Sequence, residues 1–195
     1  RCLETGDSVL IDAADEPEVL LPLCEELNVG DVLTTHGHRD HIQAVPAVRR
    51  AGQRVGGPLG SAGWRPAHDF EIADDEVIEV GRLRLHALHT PGHTPGSTSF
   101  KIEGSPVLFS GDTLFPGGPG APRGNAGNIA TLIRSIQQRM FTLPDDTIVL
   151  PDGTVRWVQG SGQVTLGPDG EEIPLPPLSA APRRAQPVWK KLLRR

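Results

Sequence analysis

Three observations in this 195-residue chain predict an α/β fold arranged as a four-layer αββα sandwich. Short apolar runs recur at strand length. Amphipathic stretches at helical spacing lie before, between and after them. The 23 Gly and 19 Pro are too many for a helical protein and suit a loop-rich α/β one. The length allows one domain with a sizeable core and is marginal for two.

The elements follow in order. Ser8-Val9-Leu10-Ile11 is an apolar run closed by Asp12 and reads as a buried strand. Pro17 to Leu27 reads as a helix, with Pro17 in the first turn and Val19, Leu20, Leu23, Cys24 and Leu27 on one face. Asp31 to Thr35 is the next strand. Asp40 stands where a first-turn acid opens a helix ending near Ala51-Gly52, with Pro46 inside that stretch. Val77, Ile78 and Val80 lead to Gly81, after which Leu83, Leu85 and Ala87 alternate with polar residues; this is a hairpin with one buried face. Ser97 to Ile102 and Val107 to Ser110 form a second hairpin, turning at Glu103-Gly104. Ile129, Leu132, Ile133, Ile136 and Met140 recur at helical spacing, and Thr147 to Leu150 is a final strand.

Beyond Leu150 the texture changes. Residues 154–195 show no sustained period and carry six prolines, Pro174, Pro176, Pro177, Pro182 and Pro187 among them, and the basic pairs Arg183-Arg184, Lys190-Lys191 and Arg194-Arg195. Such a segment buries too little surface to offset its ordering entropy. The expected organisation is therefore a folded domain over 1–153 and an irregular, poorly ordered tail over 154–195.

A net charge of −5 argues against a nucleic-acid partner, which would select a basic surface. No apolar run approaches the ~18 residues of a membrane span. Cys2 and Cys24 are too few for a disulfide framework, so a reduced, cytoplasmic setting is expected, with Cys24 a small buried apolar residue. No secretory signal is read, although the chain opens on Arg1 rather than Met, which leaves a removed leader open.

The densest chemistry is Thr34-Thr35-His36-Gly37-His38-Arg39-Asp40-His41, where His36, His38, Asp40 and His41 bring four metal-competent side chains together at the end of a strand. Neutral imidazole and carboxylate are ligands that suit zinc and similar first-row metals, and packing gives no reason to gather them. Two Gly-containing loops repeat the setting. His93 lies in His89-Thr90-Pro91-Gly92-His93-Thr94-Pro95-Gly96 after the first hairpin, and Asp112 lies in Ser110-Gly111-Asp112-Thr113 after the second. Together they mark a metal site.

These three segments resemble the metallo-β-lactamase superfamily, specifically its hydroxyacylglutathione-hydrolase (glyoxalase II-like) branch. The histidine after Asp40 separates the chain from the zinc β-lactamases proper, and the likeness covers Ser8 to Pro151. It implies that His36, His38 and His93 hold one metal, that Asp40 and His41 hold a second, and that Asp112 bridges the two. Asp12 matches an acid that orients the ligands from behind. The implied cofactors are two divalent metal ions, zinc first, with iron and manganese tolerated. The implied reaction is hydrolysis of a small thioester, ester or lactone by a metal-bound hydroxide, with Asp40 taking or relaying a proton. The expected partner is thus a small-molecule acyl substrate; the oligomeric state is not legible.

The chain also departs from the family. The last metal histidine belongs to a Pro-Gly-His-Gly motif, and here the matching stretch is Val149-Leu150-Pro151-Asp152-Gly153-Thr154, with Gly153 in the histidine's place. Asp152 is the possible substitute ligand, one position early. The family pattern stops at the same point, as a change of reading frame near Asp152 would produce. On the other side only Arg1 to Asp7 precede the first strand, so the sandwich is expected to be incomplete at its N-terminal edge and at its C-terminal end. No helical glutathione-binding region follows Pro151, so glutathione thioesters are not favoured. Two alternatives stand beside the hydrolase: a mononuclear iron enzyme of the persulfide dioxygenase type, and a catalytically impaired metal-binding protein. Among the remaining residues, His86 reads as solvated, His89 as a support for the ligand loop, Trp64 and Phe115 as pocket or packing residues, and Gly117 to Gly120 as a surface loop beside the site.

Overall fold

Two twisted sheets lie face to face, with helices on both outer sides. The computed structural model describes residues 1–59, 68–115, 118–122 and 127–151, together with the backbone of three strands within 155–174. In the first sheet, β1 (Ser8–Ile11), β2 (Val29–Leu33), β3 (Arg54–Pro58) and β4 (Phe70–Ile72) run parallel in that order. In the second, β5 (Val77–Val80), β6 (Leu83–His89), β7 (Thr98–Ile102) and β8 (Val107–Phe109) run antiparallel. A short ribbon of β9 (Leu114–Phe115) and β10 (Gly118–Pro119) follows, and β11 (Ile148–Leu150) then adds to β8 in parallel.

The layers follow from side-chain alternation. Val9 and Ile11 of β1 and Leu33 of β2 face the second sheet, where they meet Leu85, Ala87 and Phe100. Leu10 and Val32 point the other way, into a helical layer. That layer is α1 (Pro17–Glu26), the single turn α2 (Arg39–Ile42) and α3 (Val45–Arg50). On the opposite side, α4 (Ile129–Ser135) continues into a wider π turn over Ile136–Met140 and packs Leu132, Ile136 and Met140 on Leu108 and Leu114. Asn128 caps α4 by accepting from the Thr131 N–H at 3.0 Å, a contact typically worth about 1 kcal/mol. Each fully buried Leu, Ile or Phe in these clusters contributes about 1.5–3 kcal/mol of transfer free energy. The αββα sandwich, both hairpins and the last core strand are as the sequence leads one to expect.

Four features differ. Val19 and Leu23 are 49% and 42% exposed, so the buried face of α1 is Leu20, Leu21 and Cys24 instead of the wider stripe. The helix expected from Asp40 to Ala51 is broken in two. The N–H groups of Gln43 and Ala44 bond to the carbonyls of Ala14 and Ala13, which takes them out of the helical ladder, and Pro46 falls in the first turn of α3. Strands β3 and β4 fall in a stretch to which the sequence reading assigns no element. Gly56 leaves room for Phe70 and Ile72, since a Cβ there would press on both side chains, and this glycine made the strand unreadable. Finally, within 154–195 the backbone pairs as β12 (Val155–Val158), β13 (Gly162–Leu166) and β14 (Glu172–Pro174), an antiparallel meander in a stretch expected to be irregular. Its β-branched and aromatic residues Val155, Trp157, Val158, Val164 and Thr165 carry the strand preference that the surrounding prolines and glycines obscure.

Candidate metal centre

The site sits at the C-terminal ends of strands, where open α/β sheets place their ligands. β1 leads into Asp12, β2 leads into Thr35 and His36, and the turn of α2 carries Asp40 and His41, with His38 at its N-cap. β6 hands over to the loop bearing His93, and β8 to a 3-10 turn, Gly111–Thr113, bearing Asp112. Asp12 holds φ of +59°, a left-handed conformation that Asp tolerates better than most residues and that stores about 1–3 kcal/mol of strain. That turn brings its carboxylate back over the end of β2.

Two packing devices hold the His93 loop. Gly92, at φ +133°, lies flat against the backbone of Leu132 in α4, where any Cβ would overlap the main chain. Asn128 N donates to Gly92 O at 2.7 Å, and Ser135 Oγ donates to Pro91 O at 2.7 Å. A hydroxyl contact of 3.0 Å between Thr90 and Thr113 then ties this loop to the one bearing Asp112. His89 serves the same loop, with Nε2 2.9 Å from Pro95 O.

The side chains converge. His36 Nε2 is 3.0 Å from His38 Nδ1 and 3.2 Å from His93 Nε2, and His93 Nε2 is 2.9 Å from His38 Nδ1. Zn–N bonds of ~2.0–2.1 Å at tetrahedral angles put ligand nitrogens ~3.3 Å apart, so this triangle fits one first-row ion. A second trio is formed by His36, His41 and Asp112. The Asp112 carboxylate faces both groups, with Oδ1 3.4 Å from His41 Nε2 and Oδ2 3.4 Å from His93 Nε2. Behind these atoms, His41 Nδ1–H donates to Asp12 Oδ2 at 2.8 Å and His93 Nδ1–H donates to Ala121 O at 2.9 Å. Each bond leaves the Nε2 lone pair facing the site, as metal ligation requires.

Electrostatics agree with a cation site. Burial, reinforced by the neighbouring His41, pushes the His36 imidazolium down to about 2. Burial and His93 lower His38 in the same direction, against the charge of Asp40. Both rings therefore favour the neutral form that metal ligation requires. Burial works to raise the Asp112 carboxyl, but the imidazoles of His41, His36 and His93 outweigh it and hold the group below its usual range.

The structure thus brings together His36, His38, His41, His93 and Asp112, backed by Asp12. Asp40 joins neither trio and is exposed on α2, close enough to His38 to act on its charge. Asp152, Gly153, Trp64 and Gly117 lie outside the described residues. His86 is partly exposed and pairs with Glu103 at 3.0 Å. Of the segment read as a surface loop, the described end belongs to the site: Gly120 is buried against the carbonyl of Asp112, and its neighbour Ala121 holds His93. Thr35 and Ala121 are the contributors the sequence did not single out; only the position of Thr35, inside the ligand cluster, hinted at either. An apolar cavity of about 290 Å³ between the sheets reaches Asp12, Thr35 and Gly111 from behind, and none of the four site histidines lines it.

Comparison with known proteins agrees with this geometry. A family model described as the Metallo-beta-lactamase superfamily matches residues 48–152. The chain belongs to the metallo-β-lactamase superfamily. It is 39% identical over 144 residues to a hydroxyacylglutathione hydrolase of Chromohalobacter salexigens, a match covering 72% of this chain and 54% of that one. It is 32% identical over 168 residues to hydroxyacylglutathione hydrolase GloC of Haemophilus influenzae, covering 74% and 78%. The crystal structure of ETHE1 from Myxococcus xanthus superposes with a TM-score of 0.69 at 30% identity, over 84% of this chain and 71% of that one. Other hydroxyacylglutathione hydrolases that match are also covered over less than two thirds of their length, at 62% and 58%.

Proposed function

We propose that the chain is a metal-dependent hydrolase of the glyoxalase II-like type, cleaving a small thioester, ester or lactone. The observation that carries the reading is the Asp112 carboxylate set 3.4 Å from both His41 and His93, where one side chain can serve two metal positions. His36, His38 and His93 would hold the first ion; His41 and Asp112, with Asp40, would hold the second. Asp152 is proposed as a substitute ligand in place of the missing histidine. Two zinc ions, when bound, supply Lewis acidity and lower the pKa of water from 15.7 towards ~7.

The chain's own residues do the rest. Asp12 keeps the proton of His41 on Nδ1, and Ala121 O keeps that of His93 on Nδ1. The buried walls around His36, His41 and His93 exclude bulk water from the ligand nitrogens. Asp40, exposed on α2, would take or relay a proton. The names of the hydroxyacylglutathione hydrolase relatives support an acyl substrate. Both cysteines are free thiols, which fits the cytoplasmic setting we infer. No helix among the described residues is long and apolar enough to cross a membrane. The division into a domain over 1–153 and an appended segment over 154–195 belongs to the same proposal.

The test is turnover of a glutathione thioester, an aryl ester and a lactone before and after chelation. Hydrolysis of at least one, lost on chelation and restored by zinc, supports the reading. Metal-loaded protein inert towards all three overturns it in favour of an impaired metal-binding protein. A second reading, a mononuclear iron enzyme of the persulfide dioxygenase type, draws on the His36, His38 and His93 triangle, which is complete as a single-ion set, and on the likeness to ETHE1. Oxygen consumption on a persulfide by iron-loaded protein distinguishes it.

A further inference from the structure

We propose that Thr35 is a positioning residue that fixes the tautomer of His36 and thereby makes it a metal ligand. The inference rests on the metal-site reading above and extends it to a residue that touches no ion.

Thr35 Oγ1 lies 2.7 Å from Asp12 Oδ2 and 3.1 Å from His36 Nδ1. A hydroxyl carries one hydrogen, and a carboxylate only accepts. The Thr35 hydrogen therefore goes to Asp12, and the Thr35 oxygen accepts from His36 Nδ1–H. The proton of His36 is held on Nδ1, and the Nε2 lone pair is left facing His38 and His93. At 3.2 Å, His36 Nε2 and His93 Nε2 are then two acceptors opposed with no hydrogen between them, an arrangement that a cation relieves.

The geometry leaves the hydroxyl little choice. Thr35 is buried, at 2% exposure. Its backbone is fixed on both sides, the N–H donating to Asp12 Oδ1 at 2.7 Å and the carbonyl accepting from Thr98 N at 2.9 Å. Gly111 closes the remaining side: a Cβ there would stand 2.7 Å from Thr35 Oγ1 and 2.8 Å from its Cβ. Asp12 thus sets two tautomers with one carboxylate, that of His41 directly and that of His36 through the threonine. These are the two histidines that carry the second trio with Asp112.

The experiment compares wild type with Thr35→Val, which keeps the shape and removes the hydroxyl, and Thr35→Ser, which keeps the hydroxyl. Histidine tautomers are read by ¹⁵N NMR in the metal-free protein, and zinc affinity by chelator competition. The expected result is His36 protonated on Nδ1 in wild type and Thr35→Ser, that preference lost in Thr35→Val, and zinc held about 10–100-fold more weakly by Thr35→Val alone. A wild-type His36 protonated on Nε2 overturns the proposal whether or not the valine variant folds. A folded Thr35→Val with the wild-type tautomer and wild-type zinc affinity also overturns it. Wild-type protein with the expected tautomer but no affinity for zinc overturns the metal reading and leaves the tautomer assignment standing.

Discussion

The carbonyl oxygen of Ala121 receives the Nδ1 hydrogen of His93 at 2.9 Å, and the residue before it, Gly120, lies flat on the carbonyl of Asp112. One glycine-rich turn thus steadies ligands from two different loops. Gly120→Ala places a Cβ into the main-chain oxygen of Asp112, where the two nearest atoms are backbone. The expected cost is about 1–3 kcal/mol in denaturant unfolding of the metal-free protein, with weakened zinc binding. Unchanged stability would show that this turn does not pack as described.

Asp12→Asn tests the support behind His41. Asparagine accepts the left-handed backbone at this position as readily as aspartate, so the main chain is not disturbed. Its amide offers one accepting oxygen where the carboxylate serves Thr35 N, Thr35 Oγ1 and His41 Nδ1. Zinc affinity is expected to fall about 10–100-fold, measured by chelator competition. Wild-type affinity would remove Asp12 from the account.

Acid should destabilise the metal-free protein. The pKa of His36 is lowered to about 2 in the folded state, and that of His38 is lowered as well. Between the folded and the ordinary values, the unfolded chain binds more protons, so stability rises with pH and is lost as pH falls below about 6.5. Each proton contributes a slope of up to about 1.4 kcal/mol per pH unit. Thermal melts of chelated protein from pH 8 to pH 5 check the sign, and His36→Gln should flatten the curve. A wild-type protein equally stable at pH 5 and pH 8 would contradict the burial of these neutral imidazoles.

Gly92→Ala tests the clamp between α4 and the His93 loop. The added methyl meets the backbone of Leu132, and the φ of +133° is itself costly for alanine. A loss of about 1–3 kcal/mol is expected, together with zinc loss. Loss of stability with full zinc retention would separate the loop's packing from its ligand role.

The sequence was legible where pattern and period agree. The alternation of Leu83, Leu85 and Ala87 against charged neighbours announces β6, and the Ile129 to Met140 spacing announces a helix, though not its widening into a π turn over Ile136–Met140. The candidate site was legible because His36, His38 and His41 crowd one short stretch and because His93 and Asp112 each follow a strand. Strand β3 was hidden because its RVGGP sequence carries the Gly and Pro of a loop while the neighbouring Phe70 supplies the bulk. The break between α2 and α3 depends on carbonyls of Ala13 and Ala14, distant in sequence, and no local propensity reports them. The roles of Ala121 and Thr35 were hidden for a similar reason: one acts through its backbone, the other through a hydroxyl whose partners come from two separate segments.

The most direct measurement is elemental analysis of the protein and of His36→Ala after equilibration with zinc and removal of free metal. His36 is the one residue shared by both trios. Wild type should retain about two ions per chain, as a two-metal hydrolase requires, and His36→Ala fewer than one. Folded wild-type protein that retains no metal, or a His36→Ala variant that retains as much as wild type, would contradict the account.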